Sequence, residues 1–362
     1  ADRLAPLLAA IAFVFLLIPL MSSRGEPTLN NYIPAVTDPL YYAGLVVLAA
    51  AAALAVARFL APLGRASGRE PLTVALAAGG MIFILAIGAF ARAYGALAGE
   101  AFSFDFNETL FWGGGHILQF LNVSILIAAW IVLAEKIAGR APGLWAWRPV
   151  LLLAAALPLA GALVGFAAEL ALDARAPERW TFFTQWQYAL APAPVLAVVA
   201  LAPALRSRPK PGADDQRMAF LAFVFSVVVF AAGGALGLFV DGADTRTPAH
   251  YHGIIGGITL ALMGVFLVVA LPGAGRAPKP GRSLRVLIWF YGLGQLLSCI
   301  GLFWAGGYGT PRKIAGEAQN VTAGGAKAGL FLNGIGALIA VIGGVMFIWI
   351  VARALSRRPP DV

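Results

Sequence analysis

The sequence predicts an all-α integral membrane protein of about ten transmembrane helices, and three observations carry that reading. Hydrophobic residues make up 60% of the 362-residue chain and charged residues only 12%, whereas a soluble domain carries about a quarter charged. Apolar runs long enough to cross about 30 Å of hydrocarbon recur from end to end. The Lys and Arg responsible for the formal net charge of +9 sit in short loops between those runs rather than in one patch. That is the pattern of topology determinants and argues against nucleic acid as a partner. So little chain lies outside the runs that a single transmembrane domain over 1–362 is expected.

The expected spans fall near 4–22, 40–61, 72–99, 109–135, 149–172, 183–205, 218–240, 250–272, 286–306 and 328–352. The first, with Arg3 ahead of it and small residues near Met21–Ser23, has features of a secretory signal. A retained helix is preferred, because an even number of spans puts both termini on one side. The second and third are Ala-rich and separated by the basic stretch 58–69. The fourth opens behind an acidic, aromatic lead and carries His116, and the fifth ends near Glu169. The sixth enters through Trp180, Phe182, Phe183, Trp186 and Tyr188, read as an interfacial aromatic belt, as are Trp145 and Trp147 at the opposite boundary. The seventh follows the polar loop 206–217. The eighth opens on His250 and His252, the ninth holds the single cysteine, Cys299, and the tenth precedes a basic tail. Their Ala and Gly content suits close helix packing in lipid.

Charge sets the orientation. The amino terminus, the loops at 58–69, 136–148, 206–217 and 276–285, and the carboxyl tail together hold 18 Lys and Arg, against 7 in the alternate loops. Both termini are therefore expected in the cytoplasm, with the chain in the inner (cytoplasmic) membrane. The outer loops carry most of the acids, including Glu100, Asp105, Glu108, Asp173, Glu178, Asp241 and Asp244, which would attract a basic partner.

Ionisable residues inside a membrane are costly and mark candidate functional positions: here His116, Glu169, Arg92, His250 and His252. The chain has three histidines, and two of them stand one residue apart at the mouth of a span. Imidazole in such a place points first to metal or heme ligation.

The segment AHYHG at 249–253 resembles the signature of heme-copper oxidase subunit I, in which one imidazole of a helix serves the high-spin heme and the next the low-spin heme. LFWGGGHILQF at 110–120 is similar to the family helix whose Gly-His pair, here Gly115 and His116, binds the active-site copper; it precedes His250 by 134 residues. GTPRKIAG at 309–316 resembles the family loop whose basic pair holds heme propionates, here Arg312 and Lys313, 60 residues after His252. The resemblance runs from the fourth span to the tenth and implies a subunit I-like helix bundle.

The departures change what the resemblance implies. The family's core has twelve helices and six ligating histidines, where this chain has ten runs and three histidines. The adjacent His-His pair of the copper site is replaced around Phe166, Ala167, Ala168 and Glu169, Phe120 stands where the family has a tyrosine or carboxylate, and Leu118 replaces a proton-channel carboxylate. No copper site is expected. Without copper, a small helix shift would let His116 ligate the iron opposite His250, giving a low-spin heme b that transfers electrons. Arg312, Lys313, Arg92 and Arg246 are the candidate propionate partners.

The expected function is a heme b-binding, copper-free subunit of a respiratory oxidoreductase complex. It would work with other membrane subunits, one of which could supply missing helices and a ligand completing a second heme at His252, and with cytochrome c or another redox protein outside. Two alternatives stand beside it. In one the chain is a terminal oxidase or nitric oxide reductase-type catalytic subunit whose missing ligands come from a partner; in the other it is a cofactor-free scaffold. Glu169 is expected to be solvated at its helix end, to bond His116 or the Trp180 loop, or to join His116 in a mixed iron site.

Overall fold

The computed structural model describes residues 3–28, 35–63, 70–139, 146–206, 213–240, 242, 244–279, 281–314 and 316–357. Trp145, Asp241 and residues 207–212 of the 206–217 loop lie outside the described residues. Among the described residues, ten helices are long and apolar enough to cross a membrane, and the protein is an all-α, multi-pass membrane protein. The chain divides into two compact units, Ala1–Ala128 with Arg148–Ala197 and Ala129–Trp147 with Val198–Val362.

The first unit opens with α1 (Leu4–Met21) and a minimal hairpin, Pro27–Thr28 paired antiparallel with Ala35–Val36. In α2 (Pro39–Leu63), Pro39 supplies a preset helical φ, and the Asp38 carboxylate just before it accepts the Leu40 N–H at 2.8 Å. Helix α1 lies against α2, where Gly44 leaves room for Leu16. Helix α3 (Pro71–Ala96) also starts on proline and packs on α5 (Arg148–Ala171). Between these comes α4 (Phe104–Ala138), whose 35 residues extend about 50 Å and run from the first unit into the second. The core of the first unit is Ile82, Ala86, Ala89, Ile117, Phe120, Ala162 and Phe183.

The sixth span departs from expectation. Residues 173–182, read as an outer loop, contain the start of α6 (Pro177–Trp186). A 3-10 turn (Gln187–Leu190) then joins it to α7 (Pro192–Arg206). Pro192 removes a backbone donor, so the ladder tightens into that 3-10 turn while Ala191 itself stays helical, and Pro177–Ala204 remains one membrane-length span.

The second unit is built on α8 (Asp214–Gly237), α9 (Arg246–Val265), α10 (Arg282–Gly307) and α11 (Gly324–Leu355). Helix α9 continues through one π-turn, Phe266–Ala270, to Gly273. That wider turn comes just before Pro272, whose ring would crowd the Val268 carbonyl in a regular α-turn. Helices α10 and α11 make the most extensive pairing in the protein, and glycine explains it. Gly294 and Gly301 on α10 face α11, and Gly329, Gly336 and Gly343 on α11 face α10. A Cβ on Gly329 would stand 2.6 Å from the Ala305 nitrogen, and one on Gly343 2.6 Å from the Tyr291 nitrogen. The seven-residue spacing keeps one face in contact over several turns. The close approach lets Ser298 Oγ donate to Asn333 Oδ1 at 2.7 Å.

This packing makes a direct prediction. Gly336→Leu should lower stability by about 1–3 kcal/mol by forcing these backbones apart. Gly344→Leu, where a Cβ would have nothing within 4 Å, should leave it nearly unchanged. Thermal unfolding in one detergent compares the two.

Candidate functional site

In the second unit, glycine decides where His250 can go. Helices α8 and α9 cross so closely that a Cβ on Gly233 would stand 2.5 Å from the Ile254 nitrogen, and a Cβ on Gly237 would lie 2.6 Å from His250 Nδ1. The imidazole occupies that space and donates from Nδ1 to the Gly233 carbonyl at 2.7 Å. A carbonyl can only accept, so Nδ1 carries a proton, and in the neutral ring the lone pair is on Nε2. The bond fixes the orientation of the ring, as a carbonyl acceptor does for any imidazole held by one nitrogen. A turn deeper, Ser226 Oγ donates to the Gly257 carbonyl at 2.7 Å and accepts from Trp130 Nε1 at 2.8 Å. His252, two residues on and so on another side of the helix, is exposed beside Tyr251.

The loop bearing Arg312 and Lys313 is fastened to the start of this helix. Thr245 donates its N–H to the Thr310 carbonyl at 3.0 Å and its hydroxyl to the Leu302 carbonyl at 2.8 Å, and Asp244 bridges to Pro311. Lys313 has φ +61°, a left-handed conformation uncommon for a non-glycine residue. Arg246 faces the Asp244 carboxylate, with Nε at 2.9 Å and Nη2 at 2.7 Å from Oδ2.

In the first unit, His116 is buried on α4 and donates from Nδ1 to the Trp112 carbonyl at 2.7 Å. Its ring lies between Trp112 and Phe183, with centroids at 4.7 and 5.3 Å. In its neutral form this ring too has its lone pair on Nε2.

Along the same face of α4 lies a charge centre. Glu169 is fully buried, not solvated at a helix end, and both its oxygens accept from Arg179: Oε2 from Nε at 2.8 Å and Oε1 from Nη2 at 3.1 Å. Arg179, also 0% exposed, donates further to the carbonyls of Ala174 at 2.9 Å and Thr109 at 3.2 Å. Arg92 approaches from α3, its Nη1 3.6 Å from Glu169 Oε1 and its Nη2 on the Leu172 carbonyl. Gly113 is what admits the carboxylate, since any Cβ there would collide with it. Glu169 thus bonds the segment leading to Trp180. With both oxygens on a guanidinium it is poorly placed to join His116 as a metal ligand. Among the described residues, no three His, Cys, Asp or Glu side chains group closely enough to hold a metal ion.

Arg179 was missed in the sequence because it lies in a stretch that charge and composition assign to a loop. The signal available was a proline starting a helix two residues before an arginine, with aromatic residues following it. Those aromatics also divide: Phe183 is buried, Trp186 donates Nε1 to the Gly161 carbonyl at 2.9 Å, and Tyr188 is exposed.

No family model matches the chain. It is 25% identical over 384 aligned residues to an uncharacterized protein of Rickettsia prowazekii (strain Madrid E), covering 95% of this chain and 74% of that protein. It is 26% identical over 244 residues to an uncharacterized protein of Aquifex aeolicus (strain VF5), covering 66% of this chain and 58% of that protein.

The charge centre should behave as one unit. Glu169→Gln or Arg179→Met leaves a buried charge without its partner and should cost about 3–5 kcal/mol. The double variant Glu169→Gln/Arg179→Met should lose markedly less than the sum of the single losses. Unfolding of the four proteins in matched detergent checks this.

Proposed function

We propose that this chain is a heme b-binding membrane subunit resembling heme-copper oxidase subunit I, copper-free, that passes electrons within a respiratory complex of the inner membrane. The observation that carries the proposal is the shared environment of His250 and His116. Each imidazole donates its Nδ1 proton to a backbone carbonyl, which in the neutral ring puts the lone pair on Nε2, as a metal-ligating histidine requires. Among the described residues no carboxylates or thiols cluster with either imidazole, and heme, which would bring the other ligands of its iron with it, suits such imidazoles better than a protein-only metal site. Bound heme would supply one-electron transfer. The residues' part is to present Nε2 at a fixed orientation and to neutralise propionates.

For the second task Arg312 and Lys313 are the better candidates, being fastened beside the mouth of the His250 helix. Arg246 and Arg92 already face Asp244 and Glu169. His252, exposed and on a different side of the helix from His250, suits a ligand completed by another subunit. In this reading both termini face the cytoplasm, other membrane subunits surround the chain, and a redox protein such as cytochrome c exchanges electrons on the outer side.

Reduced-minus-oxidised spectra of the purified protein, with and without carbon monoxide, test the proposal together with metal analysis. Low-spin heme b bands that ignore carbon monoxide, without stoichiometric copper, are expected. Each of His116→Ala and His250→Ala should abolish heme or open its iron to carbon monoxide. Carbon monoxide binding by the unaltered protein would favour a catalytic gas-reducing subunit, and a folded protein without a Soret band would leave only a scaffold.

A local variant tests the positioning of His250. Gly237→Ala places a methyl group where the imidazole now stands and should lower heme content severalfold while helicity by circular dichroism is retained. Gly234→Ala, which meets nothing within 4 Å, should leave heme content unchanged.

A further inference from the structure

Where α10 begins and α11 ends, the second unit gathers Arg276, Lys279, Arg282, Arg285, Arg353 and Arg357. The antiparallel glycine contacts run in a constant register from Gly301–Asn333 to Tyr291–Gly343. That register carries the first turn of α10 alongside the last turn of α11. Leu284 and Ala354 are buried there, and Arg276 donates Nη1 to the Leu355 carbonyl at 2.8 Å, folding the preceding segment onto the same end.

This cluster differs from the protein's other basic loops. Lys136 meets Asp215 at 2.8 Å and Arg148 meets Glu70 at 3.0 Å. Residues 270–286 and 346–357 contain no Asp or Glu, and among the described residues none of these six cations forms an ion pair. Two arginines also occupy the first turn of α10, where the helix dipole favours negative charge and no acidic residue is present.

Below the cations, the two helices repeat one pattern. Trp289 follows Arg285 by four residues and Trp349 precedes Arg353 by four, so each indole lies a turn further along its helix on the same face as an arginine. Both indoles are exposed, as are Leu293, Val345 and Ile348 beyond them. Along each helix cation, indole and aliphatic surface thus succeed one another, in the order of phosphate, interface and acyl chain in a lipid leaflet. The two helices are offset by a turn, so that Arg285 is level with Trp349 and Trp289 with Val345.

We propose that this end of the α10–α11 pair is a binding site for an anionic phospholipid. Its phosphate sits among Arg282, Arg285 and Arg353, and its acyl chains lie along the exposed aliphatic side chains. A solvated topology signal would need neither an exposed indole on each helix nor the lack of carboxylates.

The test uses the full-length protein in nanodiscs of phosphatidylcholine with graded phosphatidylglycerol, reading the thermal midpoint and the lipid retained after detergent exchange. Phosphatidylglycerol should be retained selectively and raise the midpoint, while millimolar inorganic phosphate in phosphatidylcholine discs should not. Arg282→Gln/Arg285→Gln/Arg353→Gln should weaken retention roughly 100-fold, at about tenfold per 1.4 kcal/mol and about 1 kcal/mol per cation. Lys136→Gln, which removes a cation already paired, should leave retention unchanged. If the triple variant fails to fold, Arg282→Gln and Arg353→Gln singly should each weaken retention about fivefold. Equal retention of both lipids, retention indifferent to these substitutions, or stabilisation reproduced by inorganic phosphate would overturn the proposal.

Discussion

Hydrocarbon offers no hydrogen-bond partner, so each polar side chain within the bundle must find an acceptor or donor in the protein itself. Here the solution recurs in one form. Side chains reach the backbone carbonyl of a neighbouring helix: Ser124 to Ala75, Ser226 to Gly257, His250 to Gly233 and Trp186 to Gly161. A helical carbonyl has a second lone pair to offer, but it is reached only where the backbones are close. The glycines that bring them close therefore do more than pack helices. They set which polar side chains the interior can hold, and so where an imidazole can stand.

That dependence links the fold to the candidate site. At the α8–α9 crossing, Gly233 both permits the contact and supplies the carbonyl, and Gly237 leaves the space for the ring. On α4 the same economy admits a carboxylate, because Gly113 leaves the surface open where Glu169 and Arg179 meet it. The Thr109, Gly113 and His116 positions recur at helical spacing on one face of α4. The first unit therefore holds its imidazole one turn beyond a fixed cluster of two arginines and one carboxylate.

How much was legible in the sequence follows from which forces are local. Length and hydropathy placed the spans within a few residues, as with 218–240 against Asp214–Gly237 and 149–172 against Arg148–Ala171, because burial in lipid is a property of each segment alone. The break at Gln187–Leu190 and the helix beginning at Pro177 were not legible, since proline and interfacial aromatics fit a loop entering the bilayer equally well. The Arg179–Glu169 pair was invisible for a different reason. Its two members are ten residues apart on separate helices, and only the turn between them makes them one unit. The histidines were conspicuous as rare residues, but their tautomers rest on carbonyls that no sequence pattern identifies: Gly233 lies 17 residues from His250 on another helix.

The same distinction bears on the electrostatics of the loops read as outer. Counted in sequence, their acids form a negative surface that would steer a basic partner. In the fold, Asp38 pairs with Arg24, Glu100 with Arg175 and Asp244 with Arg246. Each pair joins an acid to one of the few arginines on that side, so the field felt at a distance is weaker than the acid count implies. Arg312 and Lys313 lie on the loop fastened to the start of the His250 helix, where the nearby Asp244 faces Arg246. Opposite charges paired this closely cancel beyond a Debye length, roughly 8–10 Å at physiological salt, so the paired acids contribute little to long-range steering.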